Sequence, residues 1–176
     1  AANAVLLLFQ MFMAYALDGF ALAVEALAGS ALGSKDRNQF RGVVKATSFW
    51  ALVFSVGFAL AYGVGGEILI DIVTDVSEVR QTARAYLPWA VVLPLLSVWS
   101  FQLDGIFIGT TRTREMRNAM IVSLGVFVAA TAVLFPLLGN HGLWLAFSIF
   151  MVARAVTLGL RYPALERSIA EADGEI

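Results

Sequence analysis

Five stretches of this chain are so long and so apolar that a lipid bilayer is the one solvent that suits them. A helix crossing roughly 30 Å of hydrocarbon needs about 20 mostly apolar residues, because with no water present every backbone amide must find its partner inside the segment. The stretches cover residues 5–32, 46–66, 85–111, 118–138 and 142–160. The first carries only Asp18 and Glu25 as charges, the third only Asp104 and the fifth only Arg154, and the other two carry none. The chain reads as an all-α polytopic membrane protein with five transmembrane helices. Residues 1–167 form the helical lobe, and 168–176 are expected to be a cytoplasmic tail, either a solvated helix end or disordered. With 60% hydrophobic against 14% charged residues, a soluble domain is excluded.

Composition also removes whole classes of chemistry. There is no cysteine, and His141 is the only histidine, so thiolate catalysis, Cys-ligated zinc, His clusters and a Ser-His-Asp triad are absent. No cofactor is implied and no enzyme activity is expected. A net charge of -1 leaves no basic field to hold a phosphate backbone, so nucleic acid is not an expected partner.

Short basic loops stay in the cytoplasm, and loop charge here alternates along the chain. Lys35, Arg37, Arg41 and Lys45 place the first loop inside. Glu67, Asp71, Asp75 and Glu78 outnumber Arg80 and Arg84 in the second, which falls outside. Arg112, Arg114 and Arg117 return the third loop inside, Gly139-Asn140-His141-Gly142 fits outside, and Arg161 and Arg167 hold the carboxy end inside. The amino end is then outside, which leads us to expect further chain upstream. Tyr62, Tyr86, Trp89 and Trp144 near outer ends, with Trp50 and Tyr162 near inner ones, read as interfacial aromatic belts. The stretch 67–73 reads as a candidate surface-lying segment, and Asp75 with Glu78 as a capping arrangement opening the third helix.

The intramembrane charges are the candidate functional residues, since each costs at least ~2.5 kcal/mol on insertion scales. Asp18 and Glu25 are seven apart on one helix face, with Gln10 on the edge of the same stripe, so that face should meet protein or water. Asp104 lies eight residues before Arg112, at a depth comparable with Glu25, so acids from two helices can share one cavity. Arg154 either pairs with one of these acids or snorkels inward. Three carboxylates against one guanidinium leave a surplus that a proton or a bound cation must balance, which favours a titrating or ion-binding role. Pro88 and Pro94 in the third helix and Pro136 in the fourth suit helices that bend around a cavity. Gly19, Ala23 and Ala26, and the Gly105-x-x-x-Gly109 motif, suit close helix packing.

Longer strings carry a family resemblance. Ala14-Tyr15-Ala16-Leu17-Asp18-Gly19-Phe20-Ala21, continuing through Glu25-Ala26-Leu27-Ala28-Gly29 to Asp36-Arg37, resembles the eighth helix and following loop of a multidrug and toxic compound extrusion (MATE) transporter of the DNA-damage-inducible (DinF) branch. Leu103-Asp104-Gly105-Ile106-Phe107-Ile108-Gly109, continuing through Arg112 to Asn118, resembles the tenth helix and its inner loop, and Gly139 to Trp144 resembles the turn into the twelfth. The resemblance implies a fragment of a secondary transporter of the bacterial inner membrane, exporting organic, often cationic compounds in exchange for H+ or Na+. Its partner would be an amino-terminal portion carrying helices one to seven. It also implies that Asp104 contributes to a sodium site and that Asp18 and Glu25 line the carboxy-lobe cavity. A non-transporting scaffold whose acids merely pair with Arg154, and a flippase for lipid-linked precursors, remain open as alternatives.

Overall fold

The structure, a computed structural model, describes residues 1–173, with side chains as far as Ile169. The described residues form six helices: α1 (Ala2–Gly33), α2 (Arg37–Val73), α3 (Ser77–Gly109), α4 (Thr113–Leu138), α5 (Asn140–Gly159) and α6 (Tyr162–Asp173). Five spans are long and apolar enough to cross a membrane. No strand occurs among the described residues.

Most helices overrun their apolar runs. Segment 67–73 is not a surface-lying element but the last two turns of α2, and α3 begins at Ser77 instead of 85. An i to i-4 hydrogen-bond ladder does not stop at the hydrocarbon edge, so polar residues continue it into the aqueous zone. The capping arrangement at Asp75 and Glu78 does not form. Val76 is the N-cap and makes no side-chain cap bond, while the Asp75 carboxylate meets the Arg80 guanidinium at 3.1 Å. Arg84 reaches Asp71 at 2.8 Å and Glu67 at 3.6 Å, so both arginines at the α2–α3 junction are engaged by acids. Pro88 and Pro94 both lie inside an unbroken α3.

α3 is the central helix, packed on α1, α2 and α5, while α4 packs chiefly on α5. The α1–α3 contact depends on glycine. A Cβ on Gly105 would collide with the Ala21 carbonyl oxygen and one on Gly109 with the Glu25 carbonyl oxygen, so the two backbones touch. Gly29 approaches from the other side, where a Cβ would lie 2.9 Å from the Gly109 oxygen. Gly19 plays no such part, because nothing lies within 4 Å of its would-be Cβ, and Ala23 and Ala26 are exposed. The small face of α1 that packs is the Ala21–Gly29 side, on roughly the opposite side of the helix from the expected one. At the α4–α5 turn Gly139 has φ 57° and ψ -133°, a conformation essentially closed to other residues.

Two of the expected belt aromatics are core instead. The Tyr62 hydroxyl donates to the Phe9 carbonyl at 2.7 Å, and its ring stacks on Phe9. The Trp144 indole donates to the Asn3 side chain at 3.1 Å, within a pair of Asn3–Asn140 amide bonds of 2.6 and 2.9 Å. A polar edge buried at membrane depth needs such a partner, and finding one draws the ring inward. Trp50 is exposed, as the belt requires.

The carboxy end continues as a helix: residues 162–173 form α6, so the expected tail begins inside it at Ser168, while its residues 174–176, and the side chains of 170–173, lie outside the described residues. Leu165 and Ile169, four apart on one face, are buried against Phe40, Ala31 and Leu158. Glu166 meets Arg37 at 2.9 Å and Arg41 at 2.5 Å, and Arg112 donates to the Ser168 hydroxyl at 2.7 Å. Withdrawal from water alone would raise the Glu166 pKa, but the hydrogen bonds and charges of Arg37 and Arg41 outweigh it and hold the carboxyl below its usual 4.5. A lowered folded-state pKa contributes stability that is present above the unfolded value and disappears as pH falls through the folded one. Amide hydrogen exchange in α6 should therefore accelerate as pH drops below the usual 4.5, after correction for intrinsic rates. Glu166→Gln should produce the same loosening at neutral pH, costing about 1 kcal/mol. Unchanged α6 protection in that variant would show that the apolar face alone holds the helix.

Candidate acidic groove

The glycine contact determines where the charged residues meet. With α1 pressed against α3 from Ala21 to Gly29, the α1 acids face the part of α3 that carries Asp104. α5 also packs on α3 and brings Arg154 to the same groove. Asp18, Glu25, Asp104 and Arg154 line a single groove of about 470 Å³, completed by apolar side chains including Phe101 and Met116.

Of the two possibilities for Arg154, pairing is the one realised. Its Nε donates to Asp104 Oδ1 at 3.2 Å, and its Nη2 contacts Oδ2, a two-point grip from a planar fork. Both side chains are largely buried, with 17% and 11% of their surface exposed, so this pair is screened much less than a surface one. Asp18 is exposed, Glu25 is half-buried, and neither has an ion-pair partner among the described residues. Asp18 nonetheless lies close enough for its charge to act on Asp104. Fully ionised, the groove would hold three negative charges against one positive.

The carboxylates share the groove without converging on a point. Among the described residues no three acidic or metal-ligating side chains are grouped tightly enough to cage a metal ion. A dehydrated Na+ would need several oxygen ligands, so these residues can supply only part of such a site. Protons and larger organic cations make no such geometric demand. They can be met by one carboxyl at a time.

Gln10 does not join the groove. It is buried in the amino-terminal half of α1, and its Nε2 has no hydrogen-bond partner. Eight residues advance a helix by about 80° past two full turns, whereas seven fall only about 20° short, so Glu25 shares the Asp18 face and Gln10 does not. Sequence reasoning also passed over Gln102, which is 2% exposed, donates through Nε2 to the Ser48 hydroxyl at 3.3 Å and leaves Oε1 unpartnered. Its signal was present, since an amide in an apolar helix is as conspicuous as a charge.

The comparisons with known proteins agree on one family. The family model described as MatE matches residues 1–134. Over 158 residues the chain is 44% identical to "DNA damage-inducible protein F" of Escherichia coli (strain K12), an alignment covering 90% of this chain and 34% of that protein. Over 140 residues it is 22% identical to "Protein DETOXIFICATION 43" of Arabidopsis thaliana, covering 80% of this chain and 27% of that protein. The chain thus spans about a third or less of the length of these curated relatives. No solved structure gives a significant match.

Proposed function

The chain belongs to the MatE family, and from that membership together with the acidic groove we propose that it is part of a multi-pass transporter of the bacterial inner membrane. It exports organic cations in exchange for H+ or Na+ and makes or breaks no chemical bond. In this reading Asp18 and Glu25 are the accessible carboxylates that take up the coupling ion or the cationic substrate. Asp104 is the buried acid on which the Asp18 charge acts, and Arg154 holds it when no cation is present. A partner portion carrying the helices not present here supplies the other wall of the cavity and the remaining ligands of any sodium site.

The observation that carries the reading is the uncompensated charge: two carboxylates at membrane depth lie beside a pair that has already consumed the groove's one guanidinium. Such a surplus is costly in a static scaffold and useful in a cycle that loads and releases a cation. The Asp104–Arg154 pair is what the scaffold alternative requires, and for those two residues that alternative has support. It gives no role to Asp18 and Glu25. The lipid-linked precursor flippase needs positive groups for an anionic substrate, and the one such group lining the groove is engaged by Asp104.

The test is neutralisation within a transport-competent protein that contains this chain. Asp18→Asn with Glu25→Gln should lower drug-resistance or vesicle-uptake rates at least about tenfold, as expected for groups that contact the transported ion. Membrane insertion and expression should not change. Transport at the wild-type rate across pH 5.5–8.5 and across sodium concentrations would rule out the assigned roles.

A further inference from the structure

Next to the acidic groove, the inner ends of α4 and α5 enclose a second cleft, of about 520 Å³, whose charge has the other sign. Arg114 on the first turn of α4 and Arg161 just past the end of α5 face it, and neither has an ion-pair partner among the described residues. Glu115 also lines the cleft, but Arg112 engages it at 3.1 Å, so the four charges together leave a surplus of two positive ones. Asn118 adds an amide. Its Oδ1 accepts from Arg117 at 3.2 Å, which leaves the Nδ2 hydrogens as donors. The positive end of the 26-residue α4 lies at the same place. Below the polar groups the walls turn apolar, with Val122 and Leu160 exposed by 52% and 76%.

The order of these groups along the bundle is informative. Guanidiniums and an amide sit at the basic, inner end, and bare aliphatic side chains continue from them toward the hydrocarbon. A free small anion has no use for the aliphatic part, and a neutral lipid has none for the arginines. We propose that the α4–α5 cleft binds an anionic phospholipid of the inner leaflet, its phosphate held by Arg114 and Arg161 and its acyl chains lying along Val122 and Leu160. Basic clefts between transmembrane helices on the cytoplasmic side are recognised settings for such headgroups. α4 is the helix for which this matters most, because it is largely unburied and leans chiefly on α5. A lipid seated across both helices would tie it down.

The experiment uses the purified chain in detergent, titrated with dioleoyl-phosphatidylglycerol or dioleoyl-phosphatidylcholine and read by native mass spectrometry. Phosphatidylglycerol should bind at least about tenfold more tightly than phosphatidylcholine, and Arg114→Gln with Arg161→Gln should abolish that preference. The charge-matched control Lys35→Gln with Lys45→Gln removes two inner-side cations away from the cleft and should retain it. All four side chains point away from the core, and circular dichroism verifies the fold of each variant. Equal binding of the two lipids overturns the proposal, as does an equal loss in both double variants, which would mark diffuse charge attraction. If millimolar inorganic phosphate displaces the lipid as effectively as phosphatidylglycerol does, the site is one for a free anion. If the arginine variant instead abolishes self-association of the chain, the cleft is a contact between copies. Either result also overturns the lipid assignment.

Discussion

Replacing Arg154 with methionine should destabilise the helical bundle by about 3–5 kcal/mol, the usual consequence of leaving one member of a buried ion pair without its counter-charge. Asp104 is 8% exposed and receives both of its charge-assisted contacts from Arg154. Without them a carboxylate remains at membrane depth beside Asp18, whose own charge adds repulsion. The companion variant Asp104→Leu with Arg154→Met should lie within about 1.5 kcal/mol of wild type, because two apolar groups of similar volume avoid the desolvation cost the pair incurs. Reversible unfolding in mixed detergent micelles measures both. A full-size loss in the double variant as well would mean that groove shape, and not charge balance, sets the stability at this point. The same pair separates the roles of the groove residues. If the double variant is stable yet transport in a competent protein disappears, Asp104 does more than glue α3 to α5.

Gly105→Ala combined with Gly109→Ala should be the other large effect, about 3 kcal/mol or more, and should come from backbone displacement. Each new methyl would occupy the place of an α1 carbonyl oxygen, that of Ala21 in one case and of Glu25 in the other. A flexible side chain could swing away, but a helical carbonyl is fixed by its own hydrogen bond, so α1 itself must retreat. Its retreat would carry Asp18 and Glu25 away from Asp104 and widen the groove. Gly19→Ala is the control, since nothing lies near that position, and it should be neutral or slightly stabilising through the gain in helix propensity. Cysteine cross-linking between α1 and α3 would report the displacement directly. Unchanged cross-linking and stability in the double alanine variant would show that the two helices do not approach as closely as described here.

The contrast between Gly19 and Gly109 shows how much of the site was legible beforehand. Both are glycines in apolar helices that carry an acid, and both looked suited to packing. Which face of α1 meets α3 depends on the complementarity of two surfaces, and one strand of text contains neither surface. The number of spans was legible because hydrocarbon thickness imposes a length and backbone hydrogen bonding imposes a conformation, and both leave a mark on every segment separately. The seven-residue interval from Asp18 to Glu25 was legible for a similar reason, being a property of one helix. Gln10 was misplaced by a single residue of spacing, enough to rotate it from the groove into the core.

Residues distant in the chain behaved differently. Arg154 had two inexpensive fates, snorkelling or pairing, and local spacing could not choose between them. Fifty residues separate it from Asp104, and only the packing of α5 on α3 brought its guanidinium within reach. The amphipathic carboxy end likewise read as solvated because Phe40, the ring against which α6 docks, belongs to the first turns of α2, more than a hundred residues earlier. Hydropathy and charge therefore dictated a five-span bundle and the presence of surplus acid in oil, since each is a contest between one segment and its solvent. Which acid would be neutralised, which would stay open and which cleft would gather the opposite charge are contests between segments, and those were resolved only when the helices packed.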